Sequence, residues 1–470
     1  MHRVTRAPSS WACLLALVAP SAPAALAQTP RPDLVTPFRP LRFDENYRYL
    51  RDSVRHGWWQ RLKYIPVGEW SLFSLGGEVR AQYERLDHPG FGALPPDPRG
   101  YALQRLMLHA DWRIGLRLRV FGQLASALEE GRTGAPRPLD VDTLRLHQAF
   151  LELTQPTGIG RLWGRVGRQE IVFGGSRTFA TREPANVRRS FDAVRGGWGG
   201  GGHGQRVTVE AFWGREVRVS RGLFDDARDS TRYTWGTFAT VTLRPNSVWL
   251  DVYMFRDHRD SAQFAQGTAP AKVWTAGAVS RGRYGQWEWN VEGRYEWGRF
   301  GSAPISAYAG VWEVAYTFPT RWRPRFALRG SRSSGDHDPN DPALQSLDRL
   351  YPRAFAFSGM PGGPVNLTNV HPTLDLQLTH RLSAFVEVDV FWRTRNTDGL
   401  YATDGELVRA ALSTRSRYVG AQPWGELDWF IGPYLRAEVA YGHFFPGTTI
   451  TDSGPGLAMN YLLVSTTFTF

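Results

Sequence analysis

Apolar and polar residues alternate singly along most of this chain. From Gln286 to Gly298, Trp287, Trp289, Val291, Gly293, Tyr295 and Trp297 share one face, and Gln286, Glu288, Asn290, Glu292, Arg294 and Glu296 share the other. A period of two is the repeat of a β-strand. Tryptophans on one side and charges on the other call for lipid on one face and water on the other. Leu382 to Arg393 repeats the pattern, with Leu382, Ala384, Val386, Val388, Val390 and Trp392 opposing Ser383, Glu387, Asp389 and Arg393. Arg105 to Ile114 does the same, with Leu106, Leu108, Ala110, Trp112 and Ile114 against Arg105, His109, Asp111 and Arg113.

Such segments fall at 71–86, 101–114, 116–130, 143–154, 161–171, 191–199, 205–217, 232–243, 248–258, 272–281, 285–298, 307–318, 323–334, 367–379, 382–395, 418–431, 434–445 and 459–470, which predicts eighteen strands. The fourth alternates imperfectly and the sixth is rich in glycine. Connections are short at Gly115, 155–160, 200–204, 244–247, 282–284, 319–322, 380–381 and 432–433. They are longer at 87–100, 131–142, 172–190, 218–231, 259–271, 335–366, 396–417 and 446–458. Short periplasmic turns alternating with long outer loops are the layout of a transmembrane antiparallel up-and-down β-barrel. An even strand number puts both chain ends in the periplasm. The last stretch, Asn460 to Phe470, places Leu462, Val464, Phe468 and Phe470 on one face. As a free edge it is an aggregation hazard; as the closing strand of a barrel it pairs with the first, and no edge remains.

The front end agrees with export. Arg3 and Arg6 precede a short apolar run, Trp11 to Val18, and Ala25-Leu-Ala27 is a small-x-small cleavage site. This reads as a signal peptide over residues 1–27, too short to span a membrane. The single cysteine, Cys13, lies within it, so no disulfide is expected in the exported chain. Residues 28–69 read as a periplasmic lead-in with one helical turn, and 70–470 as the barrel. No later window approaches eighteen consecutive apolar residues, so no transmembrane helix is expected. Aromatic residues make up 13% of the chain, 19 of them Trp, which suits girdles at the two membrane interfaces.

The formal net charge is +12, and all basic residues except Lys63 and Lys272 are arginine. These arginines are interleaved singly along strands and form no stripe or arm, which argues against nucleic acid as a partner. An arginine-bearing lumen would suit anions, because the guanidinium fork pairs with carboxylates; a GC-rich genome accounts equally for the Arg/Lys ratio.

The chain resembles the alginate export family of Gram-negative outer-membrane proteins in Leu75-Gly-Gly-Glu-Val-Arg80, Leu103-Gln-Arg-Leu-Met-Leu-His-Ala-Asp111, Val120-Phe-Gly-Gln-Leu124, Leu146-His-Gln-Ala-Phe150, Gly164-Arg-Val-Gly-Arg-Gln-Glu170, Asn186-Val-Arg-Arg-Ser-Phe-Asp192 and Tyr441-Gly-His-Phe-Phe-Pro-Gly447. The resemblance spans about residues 41–470 and is densest over 75–195. It implies an eighteen-stranded monomeric barrel with a positively charged pore; the type member exports alginate, a linear polymer of uronic acids. Fold does not fix cargo, so an anionic polysaccharide and small organic anions are both expected cargoes, and an uptake porin for organic acids or sugars is the alternative.

Fixed positive charge offsets the hydration an anion sheds on entering a narrow pore. Strand parity points Arg80, Arg105, Arg113, Arg117, Arg119, Arg168, Arg294, Arg325, Arg329, Arg393 and Arg436 into the lumen, with Glu78, Asp111, Glu170, Glu292, Glu387, Asp389 and Glu438 as partners. Arg168 and Glu170, with Arg188 and Arg189, also match family motifs. The plainer reading is that many of these pairs only hold the wall together.

Other motifs carry less. The glycine run from Gly196 to Gly204 lacks the Lys-Ser/Thr of a phosphate loop. Asp336, Asp338, Asn340 and Asp341 resemble the start of a calcium loop, but Asp341 stands where its glycine belongs and Leu347 where its glutamate belongs. No metal or cofactor is expected. A membrane-embedded hydrolase and a closed barrel docking a periplasmic partner through 41–69 are the remaining classes. No stretch sets a nucleophile beside a base, which argues against the hydrolase.

Overall fold

The computed structural model describes residues 38–51, 57–173, 175, 177–183, 185–201, 206–245, 247–351, 365–402, 405 and 407–470. The expected signal peptide lies outside them, as does 202–205 of the glycine-rich turn.

The first nine barrel strands are β1 (Ser71–Asp87), β2 (Tyr101–Ile114), β3 (Leu118–Glu130), β4 (Asp142–Thr157), β5 (Gly160–Gln169), β6 (Phe191–Gly200), β7 (Arg206–Arg218), β8 (Arg232–Arg244) and β9 (Val248–Phe264). The second nine are β10 (Gly267–Tyr284), β11 (Trp287–Phe300), β12 (Ala303–Thr317), β13 (Arg325–Ser333), β14 (Leu367–Gln377), β15 (Leu382–Arg393), β16 (Tyr418–Phe430), β17 (Leu435–Pro446) and β18 (Met459–Thr469). Each pairs antiparallel with its neighbours in sequence, and β18 pairs with β1 from Thr469 opposite Glu78 to Asn460 opposite Asp87. The result is a closed eighteen-stranded barrel. Gly77 and Phe470 exchange backbone hydrogen bonds of 2.8 and 3.0 Å at the seam, so the terminal residue completes the closure.

Alternation sorts the side chains as the period requires. On β1, Arg80, Gln82 and Glu84 are buried inside while Val79 and Tyr83 face out. On β11, Asn290, Glu292, Arg294 and Glu296 are inside while Val291, Tyr295 and Trp297 face out. The imperfect fourth segment has a physical cause. The β3–β4 register slips between Gln123 and Leu124, a bulge that turns both His147 and Gln148 inward.

One expected outer loop is absent. The stretch 259–271 continues β9 and β10 to a two-residue turn, with Phe264 opposite Gly267, and β11 and β12 likewise meet at Phe300 opposite Ala303. A register shift between Arg259 and Ala262 breaks the period there, which hides the strand from the sequence pattern.

The lead-in is compact. Single 3-10 turns at Arg42–Asp44 and Arg48–Leu50 precede α1 (Trp58–Lys63), and a short strand, Ile65–Val67, pairs with the start of β1. Its aromatic residues Phe43, Tyr47 and Trp59 are buried within the barrel mouth.

Candidate transport lumen

Two segments enter the lumen from opposite ends. From the end with the short turns comes the lead-in. Arg42 donates to the carbonyls of Gly77 at 3.2 Å and Phe470 at 2.9 Å, fastening the segment to the barrel seam. Phe43 packs edge-on against the inward rings of Phe121 and Phe150, with centroids 6.3 and 5.7 Å away. Arg119 donates to the Phe43 carbonyl and Arg113 to the Glu45 carbonyl, each at 2.6 Å. The Arg165 guanidinium stands 4.3 Å over the Phe43 ring and 4.2 Å over Phe150. Three guanidiniums of this wall are thus engaged with the chain's own lead-in.

From the other end comes the connection 170–190. Glu170 is buried between His147 Nε2 at 2.9 Å and Arg188 Nε at 2.7 Å. Arg188 Nη1 reaches Glu183 at 2.8 Å, Glu183 reaches Arg105 Nη2 at 2.6 Å, and Arg105 reaches Glu78 at 2.6 Å. One chain of alternating charge therefore ties the inward loop to β1 and β2. Asn186 reinforces it by donating to the carbonyls of Gln104, Leu128 and Asp140 at 3.1, 3.1 and 2.8 Å and accepting from Arg80 at 3.2 Å. Arg189 pairs with Glu216 at 2.9 Å. The loop's apolar anchor is Phe173 and Phe179, which pack on Phe191, Phe212, Phe255 and Tyr351. Arg188 also donates to the Pro40 carbonyl at 3.1 Å, so the two inward segments touch.

Burial raises the Glu170 carboxyl to about 7 against the opposing pull of Arg188; the Glu183 charge adds to the rise, and Arg105 and Arg145 oppose it. A carboxyl held above its ordinary value favours the folded loop fully below about 4.5, and this is lost as pH rises through about 7. Backbone hydrogen exchange in 170–190, corrected for intrinsic rate, should accelerate from pH 5 to pH 8. Glu170→Gln, neutral throughout, should remove the dependence; an unchanged profile in that variant would assign it to another group.

A second set of inward charges lies on the far wall. Arg325 bonds Glu288 at 2.9 Å, Glu313 at 2.5 Å and Asp375 at 3.3 Å. Arg329 Nε lies 2.9 Å from Glu313. Arg436 meets Asp428 at 2.6 Å, Glu438 at 3.1 Å and Glu426 at 3.7 Å, and its side chain is 28% exposed. Asp389 accepts twice from Asn369 at 3.1 Å, with His371 Nδ1 at 3.7 Å. Carboxylates outnumber guanidiniums along this stretch.

The parity expectation places Arg80, Arg105, Arg113, Arg119, Arg294, Arg325, Arg329, Asp389, Arg393 and Arg436 inward, and Glu170, Arg188 and Arg189 belong to the inward loop. Arg294 is buried and, among the described residues, has no carboxylate at ion-pair distance. Arg393 is fully buried and donates to the carbonyls of Thr414 at 2.9 Å and Ser416 at 2.6 Å; it pins an outer connection. Two expectations fail. Arg168 shares the outward face with exposed Val166 and pairs there with Asp192 at 2.8 Å. It stands three residues from inward Arg165, so the pleat sends the two to opposite faces. Arg117 is exposed in the turn after Gly115, whose φ of 57° reverses the chain before β3 begins.

Arg42, Glu45, His147, Arg165, Glu183 and Asn186 escape a parity search, because four sit outside strands, one sits on a bulge, and Arg165 competes with Arg168 in a glycine-rich strand. On the 336–341 loop, Asp338 and Asp341 accept from the backbone N–H groups of Asn340 at 2.9 Å and Ala343 at 2.7 Å, so they cap turns. Among the described residues, no group of three or more His, Cys, Asp or Glu could hold a metal ion.

The family whose sequence model matches the chain is alginate export, over residues 71–465, from the first strand of the barrel into the last. No curated protein matches it. In structure the chain is similar to a BenF-like porin from Pseudomonas fluorescens Pf-5, at 10% identity over 85% of this chain and 99% of that one, with a TM-score of 0.57. It is similar also to OpdO of Pseudomonas aeruginosa, at 12% identity, 85% and 97% coverage and a TM-score of 0.56. OpdK of the same organism, solved with vanillate, gives 11%, 85%, 98% and 0.54. At these identities the likeness is one of fold.

Proposed function

Since the chain belongs to the alginate export family and is an outer-membrane channel, we propose that it passes carboxylate-bearing solutes along the wall of β13–β17, where Arg325, Arg329 and Arg436 face the lumen. The observation that carries this reading is that Arg325 and Arg436 each hold three carboxylates. An incoming carboxylate can replace one resident partner without leaving the guanidinium bare, and the displaced resident stays near to reclaim it. Such exchange meets the demand that a channel bind enough to admit and little enough to release. Arg80, Arg105, Arg113, Arg119, Arg188 and Arg189 act by holding the two inward segments in place.

The filled half of the lumen, beneath β1–β8, favours slender cargo: a single extended chain of an anionic polysaccharide or a small organic acid. Uptake and export are equally served, because a passive channel follows the gradient. In planar bilayers under a salt gradient, oligouronate or a small organic acid should reduce the current. Arg329→Gln with Arg436→Gln should move the reversal potential toward cation preference and weaken block about tenfold, equivalent to ~1.4 kcal/mol. Equal block and an unchanged reversal potential in the double variant would remove these arginines from the path. Block by the small acid alone would assign the channel to organic acids.

A further inference from the structure

The chain's surplus of positive charge does not reside in the lumen, where guanidiniums meet at least as many carboxylates. A concentrated share lies on the outward face of β5–β11. Two cross-strand rows define the place. In the first, Trp213 stands opposite Trp235, Trp235 opposite Arg256, Arg256 opposite Trp274 and Trp274 opposite Trp297. Trp235 and Trp274 meet edge-on at 5.2 Å, Trp274 and Trp297 stack at 6.2 Å, and the Arg256 guanidinium lies 4.8 Å over Trp274. A run of tryptophans near the strand ends that carry the outer connections marks the outer membrane interface.

The second row lies two residues further out on the same face, about 7 Å by strand rise. Here Asp192 faces Arg168 and Arg215, Tyr233 faces His258, His258 faces Lys272, and Lys272 faces Arg299. The Arg215 guanidinium bridges the two rows, 5.5 Å from the Tyr233 ring and 6.0 Å from Trp213. Carboxylates in and beside the row are engaged: Asp192 with Arg168 at 2.8 Å, Asp229 with Arg218 at 3.0 Å and Asp260 with His258 at 3.2 Å. Arg215 donates to the Asp229 carbonyl at 2.9 Å and Arg299 to the Ser302 carbonyl at 2.9 Å, uncharged acceptors that leave their positive charge unmatched. Lys272 is exposed and, among the described residues, has no carboxylate at ion-pair distance. The arc is bounded: Ala149 follows Arg168 on one side, and Pro304 follows Arg299 on the other.

We propose that this arc, with Arg215, Arg256, Lys272 and Arg299 standing at and just outside the tryptophan row, is a docking surface for the phosphorylated head group of an outer-leaflet glycolipid. The chemistry fits at each level. Exposed Val252, Met254 and Val291 offer an apolar wall to acyl chains. The tryptophans sit at the interface. The unmatched cations stand where the phosphates of the leaflet begin, and basic residues at that depth are attracted to anionic lipid. Guanidinium and ammonium groups there take the place of the divalent ions that otherwise bridge neighbouring phosphates, so attachment should survive chelation. Lys272, one of two lysines in the chain, supplies a compact mobile charge beside the more rigid arginines.

The purified barrel in detergent with EDTA can be titrated with a bisphosphorylated lipid A and with the same lipid after removal of its phosphates, bound lipid being counted by native mass spectrometry. The wild-type barrel should bind the phosphorylated lipid at least tenfold more tightly. Lys272→Gln with Arg299→Gln should reduce that affinity about tenfold or more and leave the dephosphorylated lipid unaffected, as expected for two cations near an anionic surface. Arg215→Gln alone should give a smaller fall in the same direction, and serves if the double variant fails to fold by circular dichroism. Arg85→Gln, outside the arc and already paired with Asp87 at 3.0 Å, should bind as wild type does. Equal affinity for the two lipids, or wild-type affinity in the charge variants, would overturn the proposal.

Discussion

A channel shortened to begin at Ile65 should conduct severalfold more current than the full-length one. The lead-in occupies the mouth through Phe43, Tyr47 and Trp59, and its removal empties that volume. Barrel closure should persist, because the β1–β18 ladder runs from Glu78 to Asp87 without the lead-in. What changes is the lining. Arg119 and Arg113 lose the Phe43 and Glu45 carbonyls, and Arg165 keeps the Phe150 ring but loses that of Phe43. Asp111 and Glu152 remain as their carboxylates, so three guanidiniums stand uncovered beside two carboxylates, and block of the current by a small organic acid should strengthen. Single-channel recording reads both effects. A shortened barrel with full-length conductance would mean that the solute path bypasses the lead-in.

The wall of this barrel is legible in its sequence and its filling is not. Period two, the alternation of short and long connections and the terminal aromatic strand depend on local pattern alone, and all eighteen strands follow from them. The boundary errors at 259–271 and at the β11–β12 turn arise where a bulge or a run of small polar residues interrupts the period. Inward direction is recovered wherever a strand offers one consistent parity, as at Arg105 or Arg436. It fails for Arg168 because Gly164 and Gly167 remove the apolar markers that would have set the face, leaving two arginines an odd number apart. The inward segments depend on contacts between residues over a hundred positions apart, such as Arg188 with Pro40, which no periodicity records. Their trace in the sequence is compositional. A polar outer loop has no use for Ile171, Phe173 and Phe179, nor a free lead-in for Phe43, Tyr47 and Trp59, and aromatic residues in a connection signal that it is packed against something.

Phe179→Ala should unseat the inward loop while leaving the barrel closed. The ring is fully buried and meets Tyr351 at 4.9 Å, Phe255 at 5.0 Å, Phe212 at 5.2 Å, Phe173 at 5.7 Å and Phe191 at 5.9 Å. Truncating a buried Phe costs about 3–5 kcal/mol, and here the cost falls on docking of 170–190, since the strands are held by their own ladders. Phe179→Leu, closer in volume, should cost less than about half of that. Hydrogen exchange in 170–190 should rise steeply in the alanine variant and slightly in the leucine variant, with a larger and noisier open level in single-channel records of the first. The ionic chain through Arg188, Glu183 and Arg105 is a second, separate anchor on the same loop, so either anchor alone should keep it partly seated. Adding Glu183→Gln to Phe179→Ala should therefore loosen the loop by more than the two changes summed, because each single variant is still restrained by the anchor the other lacks. Exchange in the double variant equal to that of Phe179→Ala alone would show that the aromatic cluster by itself holds the constriction and that the charges serve the wall.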